Sequence, residues 1–285
     1  MSPFFFPDHP LIFPCDITLL YLTLSPASGP LFFLTTSLPL PRPPDQIARR
    51  EAWEEIGLPM DDAKIPAPFR IERLCYLPFH LAKTELVVRP CVAFLHAADP
   101  PVPTGPVATV EDSLIPRLDA KEVAAVFSAP FHNFLRAEDE PAALLPAPAP
   151  APLALPPGKW YEGSWTHWHE ERWRMHYFYV PVANQRVTRP RVRDGGLASL
   201  SEHAEDDVAE EETGRYKVWG MTARILVDAA MVAYGEQPEF EHDSHFGDEA
   251  MIEGLATIGR LDDKKRPGSQ FQGDELRRVK KMTKM

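Results

Sequence analysis

The chain has 285 residues, of which 44% are hydrophobic and 25% charged, a balance typical of a globular protein with one large domain or two small ones. Its formal net charge of −11 argues against a general nucleic-acid-binding function, which would require a basic surface. Three widely spaced cysteines without a CxxC pair, Cys15, Cys75 and Cys91, predict free thiols in a reducing intracellular compartment.

Residues 1–44 are predicted to form an irregular, proline-rich N-terminal segment, because this is one of the regions in which the 32 prolines concentrate. Within it, residues 17–24 and 31–36 are compatible with strands. Three prolines and an aspartate interrupt the apolar run over residues 11–34. No stretch therefore reaches the roughly 20 apolar residues that a membrane-spanning helix needs, and we expect no membrane segment.

The next predicted elements alternate between helix and strand. A helix is predicted over residues 45–56, because it follows two prolines and is ended by Gly57. Apolar and β-branched residues predict strands over residues 69–77 and 85–95. Residues 119–128 predict a short helix.

Two low-complexity segments interrupt the second half of the chain, the Pro/Ala run over residues 140–157 and the acidic loop over residues 202–212. An aromatic strand is predicted over residues 173–182. A strand followed by a helix is predicted over residues 216–234, where apolar residues recur at helical spacing. Residues 259–285 become basic and poor in apolar residues, which predicts a disordered tail.

Strands on both sides of helices, with short connections, predict an α/β fold with a mixed sheet. We expect one domain over residues 45–258, with the Pro/Ala run and the acidic loop as insertions within it. The alternative is a boundary between two domains at the Pro/Ala run.

Three carboxylates lie close together near the end of the predicted helix. Glu51, Glu54 and Glu55 are three and four residues apart, so they share one helix face. The opposite side is left to apolar residues that are expected to pack, namely Ala52, Trp53 and Ile56. An all-oxygen site of this kind suits Mg²⁺ or Mn²⁺, and the alternative is a solvated acidic face.

The segment from Arg50 to Leu58 resembles the C-terminal half of the Nudix box, G-x5-E-x7-R-E-U-x-E-E-x-G-U, where U is a bulky apolar residue. The six fixed positions of this half match in order, at Arg50, Glu51, Glu54, Glu55, Gly57 and Leu58. The resemblance implies a Nudix fold, which is an α/β/α sandwich, and Mg²⁺- or Mn²⁺-dependent hydrolysis of a diphosphate bond.

The resemblance also implies roles for individual residues. Glu51, Glu54 and Glu55 would bind the metal. One of these glutamates, or a carboxylate from another loop, would act as general base, since the attacking water must lose a proton. Arg50 would orient a glutamate through an ion pair.

The N-terminal half of the signature is missing. Arg42 stands where the first Glu belongs, Thr36 stands where the Gly belongs, and prolines replace the family's Gly-Gly turn. Proline lacks an N–H and has a fixed φ, so it cannot reproduce a glycine loop. Two interpretations stay open: residues 1–44 reflect an error in the gene model, or the chain is a catalytically impaired Nudix fold that binds a ligand or partner.

Three passages resemble a Nudix subgroup, the peroxisomal coenzyme A diphosphatases of fungi: residues 45–58, 118–127 and 218–226. This resemblance implies hydrolysis of coenzyme A or its thioesters to 3′,5′-ADP and a phosphopantetheine, with other nucleoside-diphosphate-linked small molecules as related substrates. It also implies a peroxisomal location. The chain ends in Lys-Met and not in the Ser-Lys-Leu signal, so the cytosol stays open. The oligomeric state is not indicated.

Several histidines lie among aromatic residues. His167, His169 and His176 are interspersed with four tryptophans, and their spacing matches no zinc pattern. We expect ordinary aromatic packing, with a transition-metal site or stacking of an adenine as alternatives. The same interpretation applies to His242 and His245.

Overall fold

The structure is a computed structural model that describes residues 10–14, 19–23, 30–34, 44–81, 87–97, 126–140, 155–168, 171–182, 214–242, 248–259 and 273–283. Several predictions concern residues outside these ranges. They include most of the Pro/Ala run, the acidic loop, the first part of the predicted helix at 119–128, and the missing half of the Nudix signature.

The described residues combine helices with short strands, which agrees with the predicted α/β class. The helices are α1 (Pro44–Ile56), α2 (Gly220–Tyr234), α3 (Asp248–Thr257) and α4 (Gly273–Thr283). The strands are β1 (Pro10–Pro14), β2 (Leu19–Thr23), β3 (Pro30–Leu34), β4 (Phe69–Tyr76), β5 (His80–Leu81), β6 (Val87–Val88), β7 (Cys91–Ala97), β8 (Val126–Pro130), β9 (Tyr161–Trp168), β10 (Glu171–Pro181) and β11 (Arg215–Trp219). Two short 3₁₀ helices are Asp62–Lys64 and His132–Leu135.

Within the described ranges the strands form a six-stranded sheet in the order β4-β7-β3-β2-β1-β8, a three-stranded sheet β11-β10-β9 and a hairpin β5-β6. Every strand pair in that part of the chain is antiparallel, so the predicted mixed sheet is wrong there. For β1, β2 and β3 the reason is the connections, because these strands follow one another after only a few residues. A parallel crossover needs about a dozen.

The prediction of an irregular N-terminal segment is also wrong. Residues 10–34 supply three neighbouring strands of the six-stranded sheet, and the strands predicted at 17–24 and 31–36 are confirmed as β2 and β3. The prolines of these strands, Pro10, Pro14 and Pro30, stand at strand ends. A missing N–H disturbs a sheet least at that position.

Three other predicted elements differ in detail. The strand predicted at 85–95 is divided into β6 and β7 by Arg89 and Pro90, since proline cannot donate to a strand ladder. Residues 126–128 begin strand β8 and are not helical, because Val126 and Phe127 favour an extended backbone. Helix α2 begins at Gly220, whereas the sequence predicts a start near Thr222.

The predicted disorder of the tail is wrong over residues 273–283. Helix α4 lies there and packs on α3, with Val279 fully buried against Leu255 and its neighbours. Gly254 permits the approach, because a Cβ at that position would lie 2.1 Å from a Val279 methyl carbon. Despite its many charges, α4 therefore has an apolar residue where it meets α3.

The main core joins both sides of the Pro/Ala run. It contains Val92 from β7, Phe127 from β8, Phe178 from β10 and Leu226 from α2. The buried Trp160 indole also donates to the Asn133 carbonyl at 2.8 Å. The segments before and after the run thus pack in one core, while the outer limits of the domain stay a prediction. None of the described helices is long and apolar enough to span a bilayer.

Candidate functional site

The acidic helix α1 rests on the six-stranded sheet. It contacts β2, β3 and β7, and Ala48 and Ala52, one turn apart, are completely buried. The helix ends where Gly57 takes a positive φ of 74°, which suits glycine. The Gly57 and Leu58 amides then donate to the Trp53 and Ala52 carbonyls, each at 3.1 Å.

Two charged residues tie α1 to its surroundings. Asp45 accepts from the Tyr76 hydroxyl at 3.2 Å and pairs with Arg73 at 2.9 Å, which fixes the start of the helix on β4. Arg49 donates from Nε to the Pro59 carbonyl at 2.6 Å and pairs with Asp62 at 3.0 Å. Burial lowers the pKa of Arg49, while the negative charges of Asp62 and Asp61 oppose that shift. The acidic face therefore stands on a helix that is held at both ends.

The predicted packing of Trp53 is wrong, because 46% of this residue is exposed. Successive residues of a helix are about 100° apart, so Trp53 lies on the flank when Ala52 points to the sheet. Ala52 packs as predicted. The Ile56 side chain lies outside the description.

Arg50 brings two of the three predicted carboxylates together. Its Nη1 donates to both oxygens of Glu54, at 2.9 and 2.8 Å, and its Nη2 pairs with Glu51. The hydrogen bond to Glu54, followed by the charge of Glu51, raises the pKa of Arg50 above its ordinary value. The side chains of Glu51 and Glu54 are 29% and 46% exposed, so both remain accessible. The predicted ion pair from Arg50 to a glutamate is thus present.

The third carboxylate, Glu55, lies on α1, but its side chain is outside the description. In the part of the chain that the structure describes, no group of three or more His, Cys, Asp or Glu residues could hold a metal ion. The predicted trio of Glu51, Glu54 and Glu55 is therefore untested. The donors that are described, carboxylate oxygens on one accessible face, have the chemistry that Mg²⁺ and Mn²⁺ prefer.

A second cluster of titratable residues is buried beside α2. The Tyr161 hydroxyl lies 3.0 Å from His176 Nδ1, and His176 Nε2 lies 3.0 Å from His242 Nδ1. His242 Nε2 contacts Asp228 Oδ1 at 2.6 Å, and His80 Nε2 lies 3.3 Å from Asp228 Oδ2. The contacts therefore form a continuous chain of polar groups from Tyr161 on β9 to His80 on β5, in which the Asp228 carboxylate lies between His242 and His80.

Aromatic packing, as expected from the sequence, describes only part of the environment of His176. Its ring lies beside Phe178 and Phe240, but both of its nitrogens also have polar neighbours. No pattern in the sequence had pointed to His80 or Asp228. His169 and His245 lie outside the described residues, and His167 is exposed.

Comparison with known proteins gives one informative similarity. No family model matches the chain. The chain is similar to Peroxisomal coenzyme A diphosphatase 1 of Saccharomyces cerevisiae, with 27% identity over 222 residues that cover 75% of this chain. The match covers 62% of the yeast protein, which is less than two thirds of its length. This similarity agrees with the resemblance to coenzyme A diphosphatases that the sequence motifs indicate.

Proposed function

We propose that this chain is a Nudix-type hydrolase that uses Mg²⁺ or Mn²⁺ to cleave the diphosphate bond of coenzyme A or its thioesters. The products would be 3′,5′-ADP and a phosphopantetheine. The observation that carries the proposal is the grouping of Glu51 and Glu54 around Arg50 on α1, at the spacing of the Nudix signature. The name of the yeast relative, a coenzyme A diphosphatase, supports the choice of substrate.

The reaction joins a water oxygen to phosphorus, breaks a bridging P–O bond and moves a proton from the water to a base. When bound, Mg²⁺ or Mn²⁺ would neutralise developing charge and lower the pKa of the attacking water. Glu51, Glu54 and Glu55 would hold the ion. Glu54, Glu55 or a carboxylate from another loop would accept the proton, because a carboxylate within hydrogen-bonding reach can act as general base.

Arg50 would serve as a positioning residue. An ionised carboxylate has about four acceptor positions, and the Arg50 guanidinium contacts each oxygen of Glu54 once. Both oxygens of Glu54 therefore keep acceptor positions for a cation. The guanidinium also reduces the repulsion between Glu51 and Glu54, which lie three residues apart on the helix.

The test is hydrolysis of coenzyme A by the full-length chain, with 3′,5′-ADP measured by chromatography in Mg²⁺, Mn²⁺ or EDTA. Glu54→Gln should lower turnover about 100-fold or more, the range of a general base or metal ligand. Gln46→Ala changes an exposed residue of the same helix and is the matched control. Absence of metal-dependent turnover, or equal turnover in Glu54→Gln, would contradict the proposal.

Arg50 needs a separate measurement, because it acts through other residues. Arg50→Gln should raise the Mn²⁺ concentration that gives half-maximal rate more than it lowers the maximal rate. Arg50→Lys should restore part of this loss, since lysine keeps the charge but not the planar donor fork. A loss of maximal rate with unchanged metal dependence would remove Arg50 from the positioning role.

A second candidate function is a catalytically impaired Nudix fold that binds a nucleotide-like ligand or a protein partner. Arg42 and the prolines that replace the glycine turn favour it, because they remove a carboxylate and the glycine backbone of the signature. Binding of coenzyme A without turnover would support this candidate. The genomic sequence just before the Asp45 codon distinguishes the two candidate functions. A Gly-Gly turn and a Glu encoded there would complete the signature and favour the enzyme.

The compartment is proposed on the same basis. The yeast relative is peroxisomal by name, and we place this chain there. Fractionation of the native host with an antibody to the chain tests that location, and recovery only in the cytosolic fraction would contradict it.

A further inference from the structure

The three-stranded sheet has one buried face and one accessible face. Phe178 of β10 and Val218 of β11 point into the core. Their sequence neighbours Tyr177, Lys217 and Trp219 therefore point to the other side, since side chains alternate along a strand. Tyr177 is directly opposite Trp219 in the antiparallel register, so the two rings are neighbours on this outer face.

Lys217 holds a positive charge beside both rings. Its Nζ lies 5.3 Å from the centre of the Tyr177 ring and 5.8 Å from that of Trp219. These distances are within the range of cation–π attraction. Half of Trp219 is exposed, although tryptophan is among the residues that gain most from burial. We call Tyr177, Lys217 and Trp219 the aromatic–lysine face.

The surroundings leave this face accessible and locally positive. Next to Trp219, a Cβ built on Gly220 would meet no atom of the described residues within 4 Å. Two lysines, Lys159 and Lys217, lie around the nearby carboxylate of Glu162, which pairs with Lys159 at 2.6 Å, accepts from the Tyr179 hydroxyl at 3.2 Å and also interacts with the charge of Lys217. On a chain with a net charge of −11, an anion is attracted only where lysines outweigh such acids.

The combination of flat aromatic rings and an ammonium group selects a particular ligand chemistry. A nucleobase stacks on exposed aromatic rings, and a lysine ammonium attracts a phosphate as a point charge. A purely apolar partner would not use the charge of Lys217, and an inorganic anion would not use the rings.

We propose that the aromatic–lysine face binds a phosphorylated adenine nucleotide, with the base on the Tyr177 and Trp219 rings and a phosphate beside Lys217. The proposal rests on the proposed function for the identity of the nucleotide, which would be the 3′,5′-ADP part of coenzyme A. It adds a recognition surface on β10 and β11, outside the signature on α1.

Binding of adenosine 3′,5′-bisphosphate, measured by titration calorimetry in EDTA, tests the face without any hydrolysis. Trp219→Leu should weaken binding about 5- to 150-fold, the range of one base–aromatic stack. Lys217→Gln should weaken binding of the bisphosphate about 2- to 5-fold and leave binding of adenosine unchanged, as expected for an exposed charge pair. The bisphosphate, but not adenosine, should also bind less tightly as salt increases.

A second cation–aromatic pair on the same three-stranded sheet provides the control. The Arg172 guanidinium carbon lies 4.2 Å from the centre of the Trp165 ring. Trp165→Leu and Arg172→Gln should leave affinity for the bisphosphate unchanged. Thermal unfolding of every variant checks that the fold is retained. If Trp219→Leu is unstable, the affinities of Lys217→Gln for the bisphosphate and for adenosine still test the proposal.

Three results would overturn the inference. The first is no binding of the bisphosphate, and the second is an equal loss of affinity in Trp165→Leu and Trp219→Leu. The third is self-association of the chain that Trp219→Leu abolishes, without any nucleotide binding at this face. Failure of the proposed function looks different, because it is absence of metal-dependent coenzyme A hydrolysis. Hydrolysis with a KM that Trp219→Leu leaves unchanged would overturn the inference while the function stands. If the chain does not hydrolyse coenzyme A but binds the bisphosphate in a Trp219-dependent manner, the proposed function is wrong while the inference stands.

Discussion

The Arg50 guanidinium lies between the two oxygens of Glu54, at 2.9 and 2.8 Å, one helical turn along α1. The pair is accessible, so its effect on folding should be small even if its effect on catalysis is large. This separation allows the role of the pair to be tested without unfolding the protein.

The first prediction is a weak, salt-sensitive coupling between Arg50 and Glu54. In a double-mutant cycle with Arg50→Gln and Glu54→Gln, the coupling free energy of unfolding should be about 0.3–0.5 kcal/mol, as for exposed i,i+4 pairs. Urea denaturation at low and high salt provides the measurement. A coupling above about 1.5 kcal/mol that is insensitive to salt would show instead that the pair is part of the folding core.

The second prediction concerns the buried side of α1. Ala52→Leu should lower the free energy of unfolding by about 1–3 kcal/mol, because Ala52 is completely buried and added methylene groups in a packed interior force side chains and backbone to shift. Trp53→Leu changes the neighbouring exposed residue and should have an effect of about 0.5 kcal/mol or less. Urea denaturation compares the two variants. Equal losses would mean that Trp53 contributes to packing as the sequence first indicated.

Local signals in the sequence were sufficient for α1, which begins at the second of two prolines and ends before Gly57. They were insufficient for Trp53, because helical spacing alone does not show which flank the sheet covers. The helix α4 was missed for a related reason. Its charged composition resembles a disordered tail, and only the contact of Val279 with α3 explains its order.

The polar cluster around Asp228 could not be predicted from the spacing of residues in the sequence. His176 and His242 are 66 positions apart, and His80 comes from a separate hairpin. Only the packing of β10, α2 and the segment after α2 brings them together. The carboxylates of α1, by contrast, lie within five residues of one helix, so the sequence alone could place Glu51 and Glu54 on the same face.

The third prediction assigns the hydrogens in this cluster. The Asp228 carboxylate only accepts, so His242 must donate from Nε2, which leaves its Nδ1 to accept from His176 Nε2. His176 Nδ1 then accepts from the Tyr161 hydroxyl. Both imidazoles should therefore be Nε2–H tautomers at neutral pH, which ¹⁵N NMR of the histidine rings can determine. An Nδ1–H tautomer at either ring would contradict this arrangement.

The same cluster predicts a difference between two substitutions of Asp228. Asp228→Ala leaves the buried His242 Nε2–H without its acceptor and should cost about 1–3 kcal/mol in the free energy of unfolding. Asp228→Asn keeps an acceptor oxygen at the same place and should cost less. Urea denaturation of both variants measures the difference. A larger loss in Asn than in Ala would show that the negative charge, and not the hydrogen bond, stabilises the cluster.

The fourth prediction is a pH dependence at Glu239. The backbone N–H of Ala137, 2.9 Å away, and then Arg136 lower the pKa of Glu239 below its ordinary value. A lowered pKa in the folded state gives stabilisation that is present above the ordinary glutamate pKa of about 4.3 and is lost as pH falls through the folded value. The loss of stability in Glu239→Gln should therefore be larger at pH 7 than at about pH 3.5. Urea midpoints at both pH values measure it, and a loss that grows on acidification would contradict the prediction.

The fifth prediction concerns Arg215, which links the two sides of the Pro/Ala run. Its guanidinium is buried and binds Asp139 through both oxygens, at 3.1 and 2.8 Å, and also the Tyr179 and Pro156 carbonyls. Arg215→Leu should destabilise the chain by about 3–5 kcal/mol, because removing one member of a buried ion pair leaves the other, here Asp139, without its compensating charge. Arg215→Lys should lower the free energy of unfolding by less, since lysine retains the positive charge but not the bidentate geometry of the guanidinium.

Arg278→Leu, at an exposed position of α4, is the matched control for Arg215 and should change the free energy of unfolding by about 0.5 kcal/mol or less. Urea denaturation of the full chain gives all three values. If Arg215→Leu were no worse than Arg278→Leu, the Arg215–Asp139 pair would not hold the two segments together. The shared apolar core, together with the hydrogen bond from the Trp160 indole to the Asn133 carbonyl, would then hold the two sides of the Pro/Ala run together.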